Sequence, residues 1–509
     1  MSNDFKMPIV LIGNSFKYEV EATSKMFFPS GTRFEFLYAE NGGENELLAD
    51  KPKFIAAKTI ELNGAETEIS AQVKLGAEQE VMSSSKVLGC TAETDRNTLE
   101  HELCRLIYHI LSCLSGITPP WGLMTGIRPV KKVIELMQQG ISDDDIERQL
   151  TEKYEISPKK YRLAYDTAVN QLPILNKIDP SAVSLYVSIP FCPTRCSYCS
   201  FVSHSMDSAV KLIPDYVSAL CRELEIIGKI IKENNTKIDT IYFGGGTPTS
   251  LSAGDIQLIM EAVAANFDLD NVREYSFEAG RADTITEEKL RVIKALGADR
   301  ISVNPQTFND EVLRVIGRRH TGADFIKAYE TARKVGFNNI NTDLIAGLPT
   351  ESAESFRNTL DRMIELDPES ITVHTLTIKR AADMYWGGGV EDAHPAVQMV
   401  DYSVKRLMES DYLPYYLYRQ KNTLDNLENV GYAKKGFESY YNIFIMDETQ
   451  TIIGAGCAAS TKLVYPEGKI NRIHNYKFPY EYIRNFDKLM EKKEEIVECL
   501  RKISSLRQK

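Results

Sequence analysis

The chain has 509 residues, of which 43% are hydrophobic and 26% charged, and a formal net charge of −11. This composition excludes a disordered chain, the acidic balance excludes a general nucleic-acid binder, whose affinity comes from basic groups displacing counterions, and no apolar run approaches the ~20 residues that span a bilayer. The length predicts about two to four domains, and the opening Met-Ser-Asn-Asp-Phe-Lys, unlike a signal peptide, leads us to expect a cytoplasmic protein.

In chain order, residues 1–90 read as a strand-rich N-terminal domain. Pro8-Ile-Val-Leu-Ile, Thr32-Arg-Phe-Glu-Phe-Leu and Glu66 to Leu75 show alternation or β-branched runs between Gly and Asn turn signals. Residues 91–180 read as a helical connecting region. Leu99, Leu103, Leu106, Ile107, Ile110 and Leu114 recur at helical spacing, and Gly116 with Pro119-Pro120 ends that helix. From 181 to about 400 strands and helices alternate, which predicts βαβ units and a parallel sheet. The strand candidates are Leu185–Ile189, Thr240–Phe243, Glu274–Glu278, Arg300–Val303, Ile340–Ile345 and Ile371–Thr375, enough for a partial (β/α)6 barrel of α/β class, with an α+β N-terminal extension. Residues 401–509 are expected to form a C-terminal α+β region covering the substrate.

Three cysteines, Cys192, Cys196 and Cys199, fall in one loop straight after the first core strand. Three thiolates are one short of a closed site, and an open coordination position separates a reactive metal centre from a structural one. A [4Fe–4S] cluster held this way keeps one iron without a protein ligand. A zinc site adding His204 has acceptable ligands, and a disulfide is conceivable, although nine cysteines are an odd total for a disulfide framework. Active sites of parallel barrels lie at the C-terminal strand ends. There this sequence carries Gly244-Gly-Gly-Thr-Pro-Thr249, Glu278-Ala-Gly-Arg-Ala-Asp283, Asn304-Pro-Gln306 and Asp343-Leu-Ile-Ala-Gly-Leu-Pro349.

The Cys-x3-Cys-x2-Cys spacing resembles the signature of radical S-adenosylmethionine (SAM) enzymes, in which SAM chelates the fourth iron and is split into methionine and a 5′-deoxyadenosyl radical. With Phe243-Gly-Gly-Gly-Thr-Pro-Thr, Arg300-Ile-Ser-x-x-x-Gln306-Thr-Phe, Gly317-Arg318-x-His320 and Asp343-Leu-Ile-x-Gly-Leu-Pro, the chain resembles the oxygen-independent coproporphyrinogen III oxidases from about 180 to 400. Thr-Gly-Ile-Arg-Pro near residue 125 resembles the longer, coproporphyrinogen dehydrogenase branch.

The resemblance implies that Cys192, Cys196 and Cys199 hold the cluster and that Tyr186 packs by the SAM sulfonium, where an aromatic face suits a cation. It further implies that Gly245, Gly246 and Thr247 present backbone groups to the methionine moiety, that Glu278, Gln306 and Asp343 bond SAM's polar groups, and that Arg318 pairs with its carboxylate. His320 reads as a turn residue. The implied reaction is oxidative decarboxylation of two propionates of coproporphyrinogen III, fed by an electron donor such as flavodoxin or ferredoxin. Arg128, Lys131, Lys379, Arg380, Arg419 and Arg472 are the candidate cations for the tetracarboxylate. Phe201 stands where the best-known oxidases carry a further cysteine, and also occurs in haem chaperones of the family. Those chaperones carry Ser-x-His-Asn where this chain has Ser439-Tyr-Tyr441-Asn442 ahead of an expected turn at Ile453–Cys457; Cys457 or His474 could replace that histidine as a haem ligand. A haem-binding transfer protein and a SAM-dependent haem-degrading enzyme are therefore the alternatives.

Overall fold

The computed structural model describes residues 6–28, 32–126, 128–199, 203–377, 395–420 and 423–505. The first unit is a five-stranded sheet in the order Arg33–Ala39, Lys6–Ile12, Phe54–Glu61, Thr67–Lys74, Met82–Leu88. Two of its strands lie outside the sequence expectation for a physical reason. Phe54–Glu61 is buried on both faces over Phe-Ile-Ala-Ala and so lacks a two-residue alternation, and Met82–Leu88 is a serine-rich edge strand. Helix Ala92–Ser115 lays Leu99, Leu103, Ile107 and Leu111 into the same core as Ile9, Leu11, Ile55 and Ile69 of the sheet. Its C-terminus is closed by Gly116 in the left-handed region, as the sequence indicates, whereas its N-terminus is closed by a Thr91–Thr94 capping box well ahead of Leu99, the first residue of the apolar pattern.

The six expected core strands are all present: Ala182–Ile189, Lys237–Gly245, Glu274–Glu278, Arg300–Ser302, Ile340–Ala346 and Ser370–Thr375. Each pairs in parallel with the next. Helices Ile213–Glu233, Ala253–Asn266, Glu287–Ala295, Gly322–Val335 and Ala353–Glu365 return between them. The sheet is larger than the six strands. Ile452–Ala455 adds a seventh parallel strand beside the first, with Ile452 opposite Ser184. The hairpin Leu413–Arg419/Glu428–Ala433 closes the other edge antiparallel to Ser370–Thr375. The seventh strand takes the first part of the stretch where a turn was expected, Ile453–Cys457, and the turn itself comes at Gly456–Ala458. In that turn Gly456 (φ +92°) is required because a Cβ there would lie 2.5 Å from the Ser188 carbonyl oxygen. Helix Ala396–Met408 runs straight across residue 400.

Along the core strands polar and apolar residues alternate. Leu185, Val187, Ile241, Phe243, Phe277 and Ile301 belong to the core under the helices. The alternate positions carry Ser184, Tyr186, Thr240, Tyr242, Glu274, Glu278, Arg300, Asn341 and Asp343. These polar side chains share the concave face: Thr240 bonds Ser184 at 2.7 Å, and Arg300 reaches Ser370 at 2.7 Å past the intervening strand. Both faces of a parallel sheet are usually apolar, so a polar concave face marks this barrel as lining something other than hydrophobic core.

Candidate active site at the C-terminal rim of the barrel

The cysteine loop is pinned to the ends of several strands. Phe191–Cys192 pairs with His204–Ser205, which closes the loop's base. Ser197 N–H donates to the Ile316 carbonyl (3.1 Å), the Thr194 hydroxyl to the Gly317 carbonyl (3.1 Å), and the Thr247 hydroxyl to Cys192 Sγ (3.4 Å). Arg281 donates from Nη1 to the Thr194 carbonyl and hydroxyl (3.1 and 2.9 Å) and stands 3.9 Å from Cys196 Sγ. Cys192 and Cys196 are buried and Cys199 half-buried; none of the nine cysteines is in a disulfide. Burial pushes the Cys192 thiol up, and the Thr247 hydroxyl bond opposes it. Among the described residues no three His, Cys, Asp or Glu side chains converge on a single ion, whereas a cubane takes each thiolate on a separate iron.

The glycine run serves the loop directly. A Cβ on Gly246 would lie 2.6 Å from the Phe191 oxygen and 3.0 Å from Cys192 Sγ. Gly246 and Thr247 donate their N–H groups to the carbonyls of Ile189 and Phe191, both at 2.7 Å. These two N–H groups are thus engaged within the protein, and the groups that Gly245, Gly246 and Thr247 can still present are mainly carbonyls.

On the concave face Tyr242 donates to Glu278 at 2.5 Å. Burial raises the Glu278 carboxyl to about 7, against the Tyr242 hydrogen bond and with repulsion from Asp343 adding to the rise. Asp343 behaves oppositely. Burial works to raise it, but the hydrogen bond and charge of His374, 3.8 Å away, with bonds from Asn341 and Thr372, hold it below the usual carboxylate range. Asn304 locks it further, donating to Asp343 Oδ2 at 2.8 Å and accepting the Asp343 N–H at 3.2 Å. Tyr186 stacks with Tyr242 and with Tyr441, ring centres 6.3 Å apart in each case, and Tyr441 lies on Tyr242 at 4.4 Å.

Gln306 is held at φ +69°, where non-glycine residues are uncommon, by a bridge in which its N–H donates to the Asp343 carbonyl and its carbonyl accepts from Ile345 N–H, both at 3.1 Å. Its buried Oε1 has no partner. Arg318 is held by the protein through its two terminal nitrogens. Its Nη1 donates to the carbonyls of Gly280 (3.3 Å) and Asn304 (3.1 Å) and its Nη2 to the Tyr198 hydroxyl (3.2 Å), while buried Nε has no acceptor and Nη2 keeps a second N–H, so the Nε/Nη2 edge retains two donors. It ties the third and fourth strand ends to the cysteine loop. His320 is buried 3.9 Å from Asp283, and burial together with the Arg318 charge pushes its pKa down to about 4, so it is neutral.

Most of the candidate substrate cations are elsewhere. Arg128 and Arg472 both bind Glu448 (2.8 and 2.6 Å). Glu448 ends helix Tyr440–Asp447, whose first turn sits on Glu274 at the opposite end of the barrel from the cysteines. Lys131 is half-buried, near enough to Asp447 to favour its ionised form. Arg419 is buried, donating to the carbonyls of Met124 and Asn426. Lys379, Arg380 and Phe201 lie outside the described residues. Sequence reasoning missed Tyr242 and gave no role to Asn304 and Arg281, which stand in the stretches it placed at the rim. The two-residue alternation that aligns Tyr186 with Tyr242 in adjacent strands would have found the first.

Thiols in a pinned loop, an unpartnered amide oxygen and guanidinium nitrogen, and two carboxylates of opposite tuning form a donor set that fits an iron–sulfur cluster with a polar, zwitterionic ligand. The radical SAM superfamily model matches residues 186–363. The oxygen-independent coproporphyrinogen-III oxidase-like protein HemZ of Bacillus subtilis (strain 168) is 43% identical over 409 residues, 78% of this chain and 80% of that protein. That match is too long to lie within residues 181–509, so the similarity enters the region before the barrel. Heme chaperone HemW of Escherichia coli (strain K12) is 30% identical over 304 residues, 59% of this chain and 76% of that one. The solved coproporphyrinogen III oxidase HemN from Escherichia coli, a radical SAM enzyme, aligns with 64% of this chain and 73% of its own at 24% identity and a TM-score of 0.49. Radical SAM proteins use a [4Fe–4S] cluster and S-adenosylmethionine, and these are the cofactors of this chain. The chain belongs to the radical SAM family of oxygen-independent coproporphyrinogen-III oxidase-like proteins.

Proposed function

We propose that this protein decarboxylates coproporphyrinogen III oxidatively, without oxygen, to protoporphyrinogen IX in porphyrin and haem biosynthesis. The observation that carries the reading is the polar concave face of the barrel, which ends at its C-terminal rim in the pinned cysteine loop and in buried polar atoms without partners. The 43% relative, oxidase-like by name, supports the same assignment.

In this reading Cys192, Cys196 and Cys199 hold the cluster. Gln306 Oε1 and the Glu278 and Asp343 carboxylates accept hydrogen bonds from SAM, and Tyr186 offers its ring to the sulfonium. Arg318 acts as a brace through Nη1 and turns its Nε/Nη2 edge to the SAM carboxylate. Cluster and SAM, when bound, supply a 5′-deoxyadenosyl radical able to take a hydrogen atom from a propionate β-carbon. A propionate has no electron sink of its own, so this abstraction is what makes loss of CO2 accessible; the protein contributes position. One further electron must leave the substrate for each vinyl group, and an external donor such as flavodoxin or ferredoxin must reduce the cluster. The proposed setting is the cytoplasm; no described helix is long and apolar enough to cross a membrane.

The matches to haem chaperones at about 30% identity favour a second reading, haem binding and transfer. Two features of this chain weigh against it. Tyr441, at the position of the chaperone histidine, is 4% exposed and stacked on Tyr242. Cys457 is fully buried, donates to the Lys477 carbonyl at 3.1 Å, and has its thiol pushed up to about 12 by burial. The deciding experiment is anaerobic incubation of reconstituted protein with SAM, a reductant and coproporphyrinogen III. Decarboxylated porphyrinogen with matching 5′-deoxyadenosine supports the enzyme; haem transfer to an apo-acceptor with unchanged tetrapyrrole mass rejects it.

A further inference from the structure

Arg281 is a buried cation whose guanidinium stands 3.9 Å from a cysteine sulfur of the loop. It leaves the end of the third strand, is 3% exposed, and is gripped from behind by Asp283 in a two-point contact, Nε to Oδ1 at 2.9 Å and Nη2 to Oδ2 at 2.8 Å. That fork fixes the plane of the guanidinium and leaves Nη1 facing the loop. There the two Nη1 hydrogens meet three acceptors, the Thr194 carbonyl, the Thr194 hydroxyl and Cys196 Sγ at 3.9 Å. An anchor for the loop backbone alone would need only the first two.

We propose that Arg281 is an electrostatic tuning residue, its charge set against the Cys196 sulfur by Asp283 so as to raise the reduction potential of the cluster. The proposal rests on the reading that the cysteine triplet holds that cluster. The reason is Coulombic. Adding an electron makes the cluster and its thiolates more negative, and a fixed cation in a poorly solvated site stabilises that state more than the oxidised one. Hydrogen bonds to the sulfurs act in the same direction. Asp283 holds the cation in place but offsets part of its field, so the two residues have opposite signs of effect on the same quantity.

The test is a potentiometric titration of the anaerobically reconstituted protein with dithionite and mediators, followed by electron paramagnetic resonance, alongside iron and sulfide content. Arg281→Gln is expected to move the midpoint potential to more negative values, Asp283→Asn to more positive values, and Arg281→Lys to fall between Arg281→Gln and the wild type. If Arg281 only braces the loop, both losses open the site to water and move the potential the same way, or leave it unmoved. Either result overturns the proposal. Should Arg281→Gln fail to hold a cluster, Asp283→Asn decides alone: a potential that is unchanged or more negative rejects the tuning role. Cys196→Ala is the separate check on the ligand assignment. Full iron content in that variant would reject the assignment itself, whereas normal assembly in the Arg281 and Asp283 variants with unmoved potentials rejects the tuning role only.

Discussion

The two ends of the barrel use the same residue types for opposite purposes. At the N-terminal end Glu274 receives four donors: the Ser276 and Ser439 hydroxyls on Oε1 (2.7 and 2.8 Å) and the Tyr440 and Tyr441 N–H groups on Oε2 (2.6 and 3.4 Å). Arg300 beside it donates to Asn339 Oδ1, the Phe437 carbonyl and the Ser370 hydroxyl. At the C-terminal rim the comparably buried Gln306 and Arg318 leave Oε1 and Nε without partners, and half-buried Ser197 leaves its Oγ so. A buried polar atom without a partner costs about 1–3 kcal/mol, so the rim gives up stability that the base retains. The difference teaches where to look for a ligand. Paired buried polar groups are architecture, and unpaired ones converging beside a thiol loop are binding capacity.

Four experiments break or sharpen that contrast. The largest effect is expected at the cysteines: replacing Cys192, Cys196 or Cys199 with Ala should abolish the iron content of the reconstituted protein, while circular dichroism shows the barrel still folded. Next comes the base. Glu274→Ala strips four donors of their acceptor and should cost at least ~3 kcal/mol in denaturant unfolding, on the usual penalty for unsatisfied buried groups; a loss below ~1 kcal/mol would show that the base is not the stabilising end. Gln306→Gly reverses the pattern. It removes an unpartnered oxygen and relieves a left-handed non-glycine backbone, so stability should change by under ~1 kcal/mol while SAM affinity falls about tenfold by calorimetry.

The smallest effect is on pH dependence, and its sign differs between the free and bound protein. Because burial raises Glu278 to about 7, its contribution to the stability of the free protein is fully present below the ordinary carboxylate value and is lost as pH rises through 7. The proposed contact from SAM to Glu278 would favour the ionised carboxylate, so affinity should strengthen from pH 6 to 8, by no more than tenfold per pH unit for one proton. Glu278→Gln should flatten both profiles, and an unchanged affinity profile in that variant would remove Glu278 from the SAM contacts.

The six core strands and the cysteine loop were legible because their signals are local: β-branched runs between helices, and three thiols within eight residues of one another. What was illegible depends on distant contacts. The seventh parallel strand, Ile452–Ala455, is hidden by Gly454 inside it and Gly456 just after it, since only their neighbours Ser460 and Ser188 show why those glycines are there. The engagement of the Gly246 and Thr247 N–H groups with Ile189 and Phe191, and of Arg318 Nη1 and Nη2 with Gly280, Asn304 and Tyr198, appears only in three dimensions. A motif identifies residues that belong to a site; it does not say which of their atoms remain available to a ligand.

The most direct test of the contrast is the spectrum of the reduced, reconstituted cluster with and without SAM, in the wild type and in Gln306→Gly. The account predicts that SAM perturbs the wild-type signal at low ligand concentration and that Gln306→Gly, with full iron content, needs about ten times more SAM for the same change. An identical SAM titration in the two proteins would contradict it, because the unpartnered rim would then not be where the ligand binds.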